Sequence, residues 1–237
     1  MDNGQKKKIY PDVVALMENS WVMVEQKNWS EIIRMTSAAI SIDPFCSDAY
    51  ALRSWAYLEK GFRKNALDDA QEAVRLDPEN TFALNNRGSL YSRNGNLIRA
   101  KEDFQKACQG GLEIGCNNLN WLIEYCLRKA EEAFQKNDWD KVIKYTSEIA
   151  ENGIALSVRC GAYASKMQFE AAMTDCDAAI KVNPNLASAY NNKGYSLELM
   201  GKQKEALLNY EFACNLNMPL GCSNLRRLTS PYQSEDK

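Results

Sequence analysis

Apolar residues recur at intervals of three and four along most of the chain, which predicts amphipathic helices. Within residues 47–80 the pattern describes two helices separated by a turn at Gly61, where glycine tolerates the positive φ of a tight reversal. Asp77 and Pro78 end the second helix, because proline disfavours helical geometry in the residue before it. This stretch is therefore predicted to form one antiparallel helix pair.

The same helix pair recurs after 34 residues without a gap, at residues 81–114. A fixed period of this length is typical of a solenoid built from stacked helix pairs. The matched positions, identical or of the same size class, are Tyr50/Leu84, Ser54/Gly88, Tyr57/Tyr91, Gly61/Gly95, Ala66/Ala100, Asp69/Asp103 and Ala73/Ala107.

A weaker copy precedes these two, at residues 12–44, and three further copies follow them. Asn183-Pro184 lies 106 residues after Asp77-Pro78, and the same offset places residues 107–119 over residues 213–225. We interpret the chain as a three-repeat block that occurs twice, at residues 11–122 and 123–228, with a capping helix at its end. The ends at residues 1–10 and 229–237 are expected to be disordered.

The order of an aromatic, a small residue, a second aromatic, two alanines and a proline resembles the tetratricopeptide repeat over both gap-free copies. The resemblance implies an all-α fold: a right-handed solenoid of antiparallel helix pairs, with about six repeats and a C-terminal capping helix. It also implies a concave groove, lined by the first helix of each pair, that holds a peptide or helix of a partner protein.

By the same resemblance, the second, fifth, ninth, twelfth and thirteenth positions of each repeat face the groove. The aromatic residues among them offer surface that a partner could bury, or they pack within the solenoid. The asparagines could bind a peptide backbone, or they have a structural role at helix starts. The candidate groove residues are Asp48, Trp55, Glu59, Phe82, Asn85, Asn86, Arg93, Asn191, Asn192, Tyr195 and Glu198.

The groove positions are mixed in charge. They lack the Lys and Asn clamp by which some family members hold the acidic C-termini of heat-shock chaperones, so the resemblance disfavours a receptor for such tails. The adjacent carboxylates Asp68 and Asp69 lie on a helix and are predicted to form a solvated face.

Eight cysteines without a Cys-x-x-Cys motif, in a chain without histidine, disfavour a zinc site. Cys160 and Cys176 fall on inward positions of the fifth repeat and are predicted to be small buried hydrophobic residues. Residues 107–119 and 213–225 resemble the cysteine-rich form of the Sel-one-like repeats. That resemblance implies the pairs Cys108/Cys116 and Cys214/Cys222 if the protein is oxidised; in a reducing cytosol we expect thiols.

Composition and charge narrow the function further. The net charge of −2 favours neither nucleic acid nor an anionic membrane surface as a partner. No stretch of the sequence is apolar enough to insert in a membrane, and no signal peptide is visible. A cytoplasmic location is therefore expected. The sequence contains no phosphate loop, no nucleophile motif and no histidine. It therefore gives no indication of an enzyme or of a cofactor.

The expected function is therefore that of a non-enzymatic adaptor, scaffold or assembly factor. The alternative is an extracytoplasmic, disulfide-stapled repeat protein of the Sel-one-like type. The sequence leaves the partner's identity and the oligomeric state open.

Overall fold

The computed structural model describes residues 10–230, and within this range it contains thirteen α-helices and no β-strand. The predicted all-α class is confirmed. The chain ends predicted to be disordered lie outside the described residues, except that Tyr10 caps the first helix and Thr229 is the last residue of the final one. The helices are α1 (Pro11–Glu25), α2 (Trp29–Ile42), α3 (Ser47–Glu59), α4 (Arg63–Leu76), α5 (Thr81–Arg93), α6 (Leu97–Gln109), α7 (Glu113–Phe134), α8 (Trp139–Ser147), α9 (Gly153–Ser165), α10 (Phe169–Val182), α11 (Ala187–Leu199), α12 (Gln203–Asn215) and α13 (Pro219–Thr229).

The helices form two units, of which unit 1 ends at Leu122 and unit 2 begins at Ile123. In unit 1, α1 packs on α2, α3 on α4 and α5 on α6, and each pair contacts the next. In unit 2, α9 packs on α10 and α11 on α12, while α8 contacts α9 and α13 packs against α12. Helix α7 is continuous and contributes residues to both units. The assignment of each unit to one copy of a duplicated block stays a prediction.

The turn inside each of the six helix pairs has the same backbone geometry, a positive φ at one fixed repeat position. Glycine takes this position at Gly61, Gly95 and Gly201, with φ of 81°, 77° and 76°. Lys27, Asn137 and Met167 take it elsewhere, although the left-handed region costs such residues roughly 1 kcal/mol or more. Packing of the two helices therefore fixes this turn even where the sequence does not favour it.

The Asp-Pro and Asn-Pro motifs end the second helix of a pair through a side-chain hydrogen bond. An Oδ1 atom of Asp43, Asp77 or Asn183 accepts from the backbone N–H two residues later, at 3.0–3.1 Å. The fourth pair lacks this motif, and its second helix, α8, has only nine residues. The fourth repeat is therefore shortened at this helix.

Three repeated ion pairs join the two helices of a pair. Arg53 makes two hydrogen bonds to Asp69, at 2.7 and 2.9 Å, and the same bidentate contact joins Arg87 to Asp103 and Arg159 to Asp175. The hydrogen bonds to Asp103 raise the pKa of Arg87 above its ordinary value. The prediction of a solvated face at Asp69 is wrong: the residue is only 8% exposed, because it turns inward to this arginine.

Three disulfides join six of the eight cysteines. Cys108–Cys116 links α6 to α7, and Cys214–Cys222 links α12 to α13. The chain segments come this close because Gly115 has no side chain: a Cβ there would lie 2.8 Å from the Cβ of Ala107. These four cysteines are thus bonded in the structure and not the thiols expected from a cytoplasmic location. That the two segments are Sel-one-like stays a prediction.

The third disulfide, Cys160–Cys176, connects α9 to α10. Both residues are fully buried, as predicted, but they are bonded to each other and do not act as separate apolar residues. In the third repeat the equivalent two positions hold Gly88 and Phe104, which also pack together. The two positions therefore face each other in the repeat, which brings two cysteines within bonding distance.

Candidate partner-binding face

Four aromatic side chains of unit 1 form a continuous cluster. Ring centroids lie 5.5 Å apart for Trp21 and Phe82, 5.7 Å for Phe82 and Trp55, and 5.4 Å for Trp55 and Trp29. Trp21, Trp55 and Phe82 come from α1, α3 and α5, the first helices of three successive pairs. We call these four residues the aromatic cluster. It shows that the first helices of unit 1 present one shared face.

The aromatic cluster is anchored underneath and open above. Trp55 and Phe82 are half-buried and pack against the buried Ile32, Leu52 and Ala56. Trp21, in contrast, is 45% exposed. The cluster therefore combines a rigid base with accessible aromatic surface. Aromatic side chains of this kind account for much of the binding energy in protein interfaces.

Two sequence-predicted groove residues, Trp55 and Phe82, thus lie together in the structure, whereas sequence reasoning missed Trp21. A signal for Trp21 exists, because it precedes Trp55 by 34 residues, one repeat length. Both tryptophans occupy the ninth position of their repeats, which the resemblance assigns to the groove.

Exposed charged residues border the aromatic cluster. Glu25 and Glu59 are the last residues of α1 and α3, and each follows a tryptophan of the cluster by four residues. Residues four apart lie on the same side of a helix. Arg93 ends α5 at the equivalent position and is also exposed. Asp48 is exposed and accepts a hydrogen bond of 2.7 Å from the amide of Asn80.

The candidate asparagines mainly connect helices. Asn86 is buried and its Nδ2 donates to the carbonyl oxygen of Ala51 on α3, at 3.0 Å. Asn192 makes the equivalent bond to Ser157 at 2.8 Å. Each of these amides holds the first helix of one pair against the first helix of the preceding pair. The asparagines therefore have a structural role, although they do not cap a helix.

The neighbouring asparagines are engaged in the same way. The Oδ1 of Asn85 accepts from Asn118 at 2.8 Å, and that of Asn191 accepts from Asn224 at 3.0 Å. Both Asn85 and Asn191 are buried. Their oxygens are therefore already bonded within the protein.

The candidates in unit 2 do not form a comparable cluster. Tyr195 is 36% exposed, but Glu198 accepts hydrogen bonds from Arg227 and from the Tyr210 hydroxyl, each at 2.7 Å. The bond from Arg227 lowers the pKa of Glu198. Gly161 is covered by Asn192, whose Nδ2 would lie 3.3 Å from a Cβ at this glycine. The space beside this glycine is therefore occupied by the amide of Asn192.

Two other kinds of site find no support within residues 10–230. No helix in this range is both long enough and apolar enough to cross a membrane. No three His, Cys, Asp or Glu side chains in the same range are grouped as metal ligands would be.

Comparison with known proteins identifies repeats and repeat-containing relatives. The chain is 23% identical over 146 residues to the tetratricopeptide repeat and J domain-containing co-chaperone of Cryptococcus neoformans, covering 60% of this chain and 28% of that protein. It is 28% identical over 123 residues to the human DnaJ homolog subfamily C member 7, with coverage of 50% and 25%. For the rat DnaJ homolog subfamily C member 3, the identity is 24% over 201 residues, with coverage of 79% and 39%. The chain thus spans well under half the length of each of these relatives.

Solved structures that resemble the chain include the TPR domain of P58(IPK), with a TM-score of 0.45, 20% identity and coverage of 92% of this chain and 64% of that one. The TPR2AB domain of yeast Sti1, in its complex with pHSP90, has a TM-score of 0.41, 20% identity and coverage of 91% and 96%. Family models described as the tetratricopeptide repeat match residues 47–80 and 69–102. Residues 47–102 of this chain are therefore similar to tetratricopeptide repeats.

Proposed function

We propose that the chain is a non-enzymatic protein-interaction module, an adaptor, scaffold or assembly factor, and that it binds a peptide or helix of a partner protein. The observation that carries the proposal is the aromatic cluster, in which Trp21, Trp55 and Phe82 from the first helices of three successive pairs form one face with accessible apolar surface. Exposed aromatic surface on a rigid scaffold is typical of a docking site.

Other features support the same function. Repeat solenoids present extended faces that suit peptides and helices. One relative is named as a co-chaperone that contains tetratricopeptide repeats, so repeats of this kind occur in proteins that work with other proteins. We place the binding face in unit 1. Tyr195, the exposed aromatic candidate of unit 2, stays a separate candidate contact of that unit.

Replacing Trp21 with alanine is expected to weaken capture of the partner strongly while the chain stays folded, because this side chain is accessible and contributes little to the core. The test uses the full chain as bait under native conditions, with mass spectrometry of the retained proteins. Phe45→Ala is the matched control: Phe45 is 72% exposed and lies between α2 and α3, outside the aromatic cluster. A set of proteins retained equally by both baits would contradict the proposal.

A second candidate differs in compartment: an extracytoplasmic repeat protein stapled by disulfides. The three disulfides favour it over the cytoplasmic location expected from the sequence, because disulfides persist in oxidising environments and are rare in the cytosol. This candidate keeps the same binding face. It places the partner in the oxidising compartment as well.

Thiol counting tests the compartment. We expect two titratable thiols per chain in protein that is isolated from its native source and denatured, both without reductant. These belong to Cys46 and Cys126, the cysteines outside the three disulfides. Full reduction should raise the count to eight. Eight thiols before reduction would exclude the disulfide-stapled protein and return the chain to a reducing compartment.

A further inference from the structure

We propose that the partner segment is cationic and amphipathic, with apolar side chains that contact the aromatic cluster and Lys or Arg side chains that face Glu25 and Glu59. This inference rests on the proposed function, since it names the chemistry of the segment that the same face binds. It follows from three properties of these two glutamates. They are regularly placed beside the aromatic cluster, they have no ion-pair partner among residues 10–230, and they put a negative charge at the same position of two repeats.

The placement of the glutamates is regular. Trp21 and Glu25 are four residues apart on α1, and Trp55 and Glu59 are four residues apart on α3. Each carboxylate therefore lies one helical turn beyond an aromatic ring, on the same side of its helix. The two pairs are separated by 34 residues, one repeat length. The apolar surface thus has an acidic edge that extends over two repeats.

Neither glutamate has an ion-pair partner among residues 10–230, and both are exposed. Two other carboxylates of unit 1 do have one: Glu31 pairs with Arg34, and Glu72 with Arg75. Lys60 follows Glu59 directly, but its Nζ donates to the hydroxyl of Ser30 on α2, at 2.7 Å. The two carboxylates beside the aromatic cluster are therefore available for cations from outside the chain.

The charge of this edge opposes an acidic partner. An acidic segment would meet repulsion from Glu25 and Glu59 in the first two repeats, whereas Arg93 in the third would attract it. A basic segment gains two favourable contacts, and its binding energy is shared between apolar burial and charge complementarity. Because the glutamates are exposed, salt should weaken the electrostatic part within the range set by the Debye length.

Two synthetic helix-forming peptides test the proposal on the full chain. One has leucines along one face and lysines beside them; the other has the same sequence with glutamate in place of lysine. At low salt we expect the Leu/Lys peptide to bind about tenfold more tightly than the Leu/Glu peptide, a preference set by the two charge contacts. We also expect Trp21→Ala to weaken binding of the Leu/Lys peptide, because the leucines of the peptide contact the aromatic cluster.

Charge reversal provides the decisive variant. In the double variant Glu25→Lys, Glu59→Lys, the preference between the two peptides should invert. The matched control is Asp68→Lys, Glu102→Lys, which reverses two exposed carboxylates of the same unit on the second helices α4 and α6. This control should keep the preference of the wild type, and both variants should keep its melting curve, since none of these four side chains is buried.

The outcomes separate this inference from the proposed function. Equal binding of the two peptides, tighter binding of the Leu/Glu peptide, no binding of either, or binding that ignores Trp21 would each overturn the inference. A natural partner that depends on Trp21 but binds through a neutral or acidic segment would also overturn it, while leaving the proposed function intact. A partner that ignores Trp21 would overturn the proposed function itself.

Discussion

Replacing Asp103 with alanine is expected to lower the free energy of unfolding by about 3 kcal/mol, because Arg87 would keep a largely buried charge without its bidentate partner. The side chain of Asp103 is 5% exposed and that of Arg87 is 22% exposed. Arg87 can reach some water, which places the expected loss at the lower end of the range for broken buried pairs. Urea unfolding followed by circular dichroism measures it.

Two controls separate the buried charge from other effects. The double variant Arg87→Met, Asp103→Leu removes both charges and is expected to recover most of the lost stability, since apolar replacements of a buried pair are often neutral. Glu31→Ala breaks an exposed pair with Arg34 and should change the free energy of unfolding far less than Asp103→Ala does, because water screens the two charges. Equal effects of Asp103→Ala and Glu31→Ala would contradict the burial of the repeated ion pair.

Replacing Gly88 with leucine is expected to cost about 3 kcal/mol, because α5 and α6 leave no space for a side chain there. A Cβ at this position would lie 2.8 Å from Cε1 of Phe104 and 3.2 Å from the carbonyl oxygen of Ala100. The backbone oxygen cannot move away without shifting α6. Thermal and urea unfolding of the variant measure the loss.

A smaller residue at position 104 should relieve part of this clash. We expect Gly88→Ala, Phe104→Leu to be more stable than Gly88→Ala alone, since the second repeat already combines the small residues Ser54 and Ala70 at these two positions. An unfolding curve of Gly88→Leu that matches the wild type would mean that the repeat register is wrong.

The helices and turns were predictable because they depend on local rules. The period of three and four, together with glycine at the turns and proline after the second helix, places the pairs of unit 1 to within a few residues. The weaker pairs keep the same turn geometry at Lys27 and Met167, where the sequence carries no glycine. At these two turns the position could be predicted from the repeat period but not from the residue type.

The pairwise contacts were harder to predict. Arg53 and Asp69 recur one repeat later as Arg87 and Asp103, so a signal existed, but adjacent carboxylates on a helix are usually solvated and the pairing depends on how two helices cross. The disulfide between Cys160 and Cys176 was hard to predict for the same reason. Two inward positions on neighbouring helices need not face each other. Contacts between elements follow from tertiary packing, which no single periodicity specifies.

The candidate site was predictable in part. Position numbers within the repeat placed Trp55 and Phe82 on one face, and the structure brings them into contact. The same position numbers could not show that the amide of Asn86 donates a hydrogen bond to the carbonyl oxygen of Ala51, or that the carboxylate of Glu198 accepts one from Arg227. A side chain at a groove position is available only if no neighbour binds it, and this depends on the adjacent repeat.

The most direct test of the account is the dissociation constant of the captured partner for the wild-type chain, for Trp21→Ala and for Phe45→Ala. The aromatic cluster as binding face predicts that Trp21→Ala weakens the complex by about 2 kcal/mol, roughly 30-fold, while Phe45→Ala leaves the constant unchanged. Equal dissociation constants for Trp21→Ala and the wild type would contradict the account.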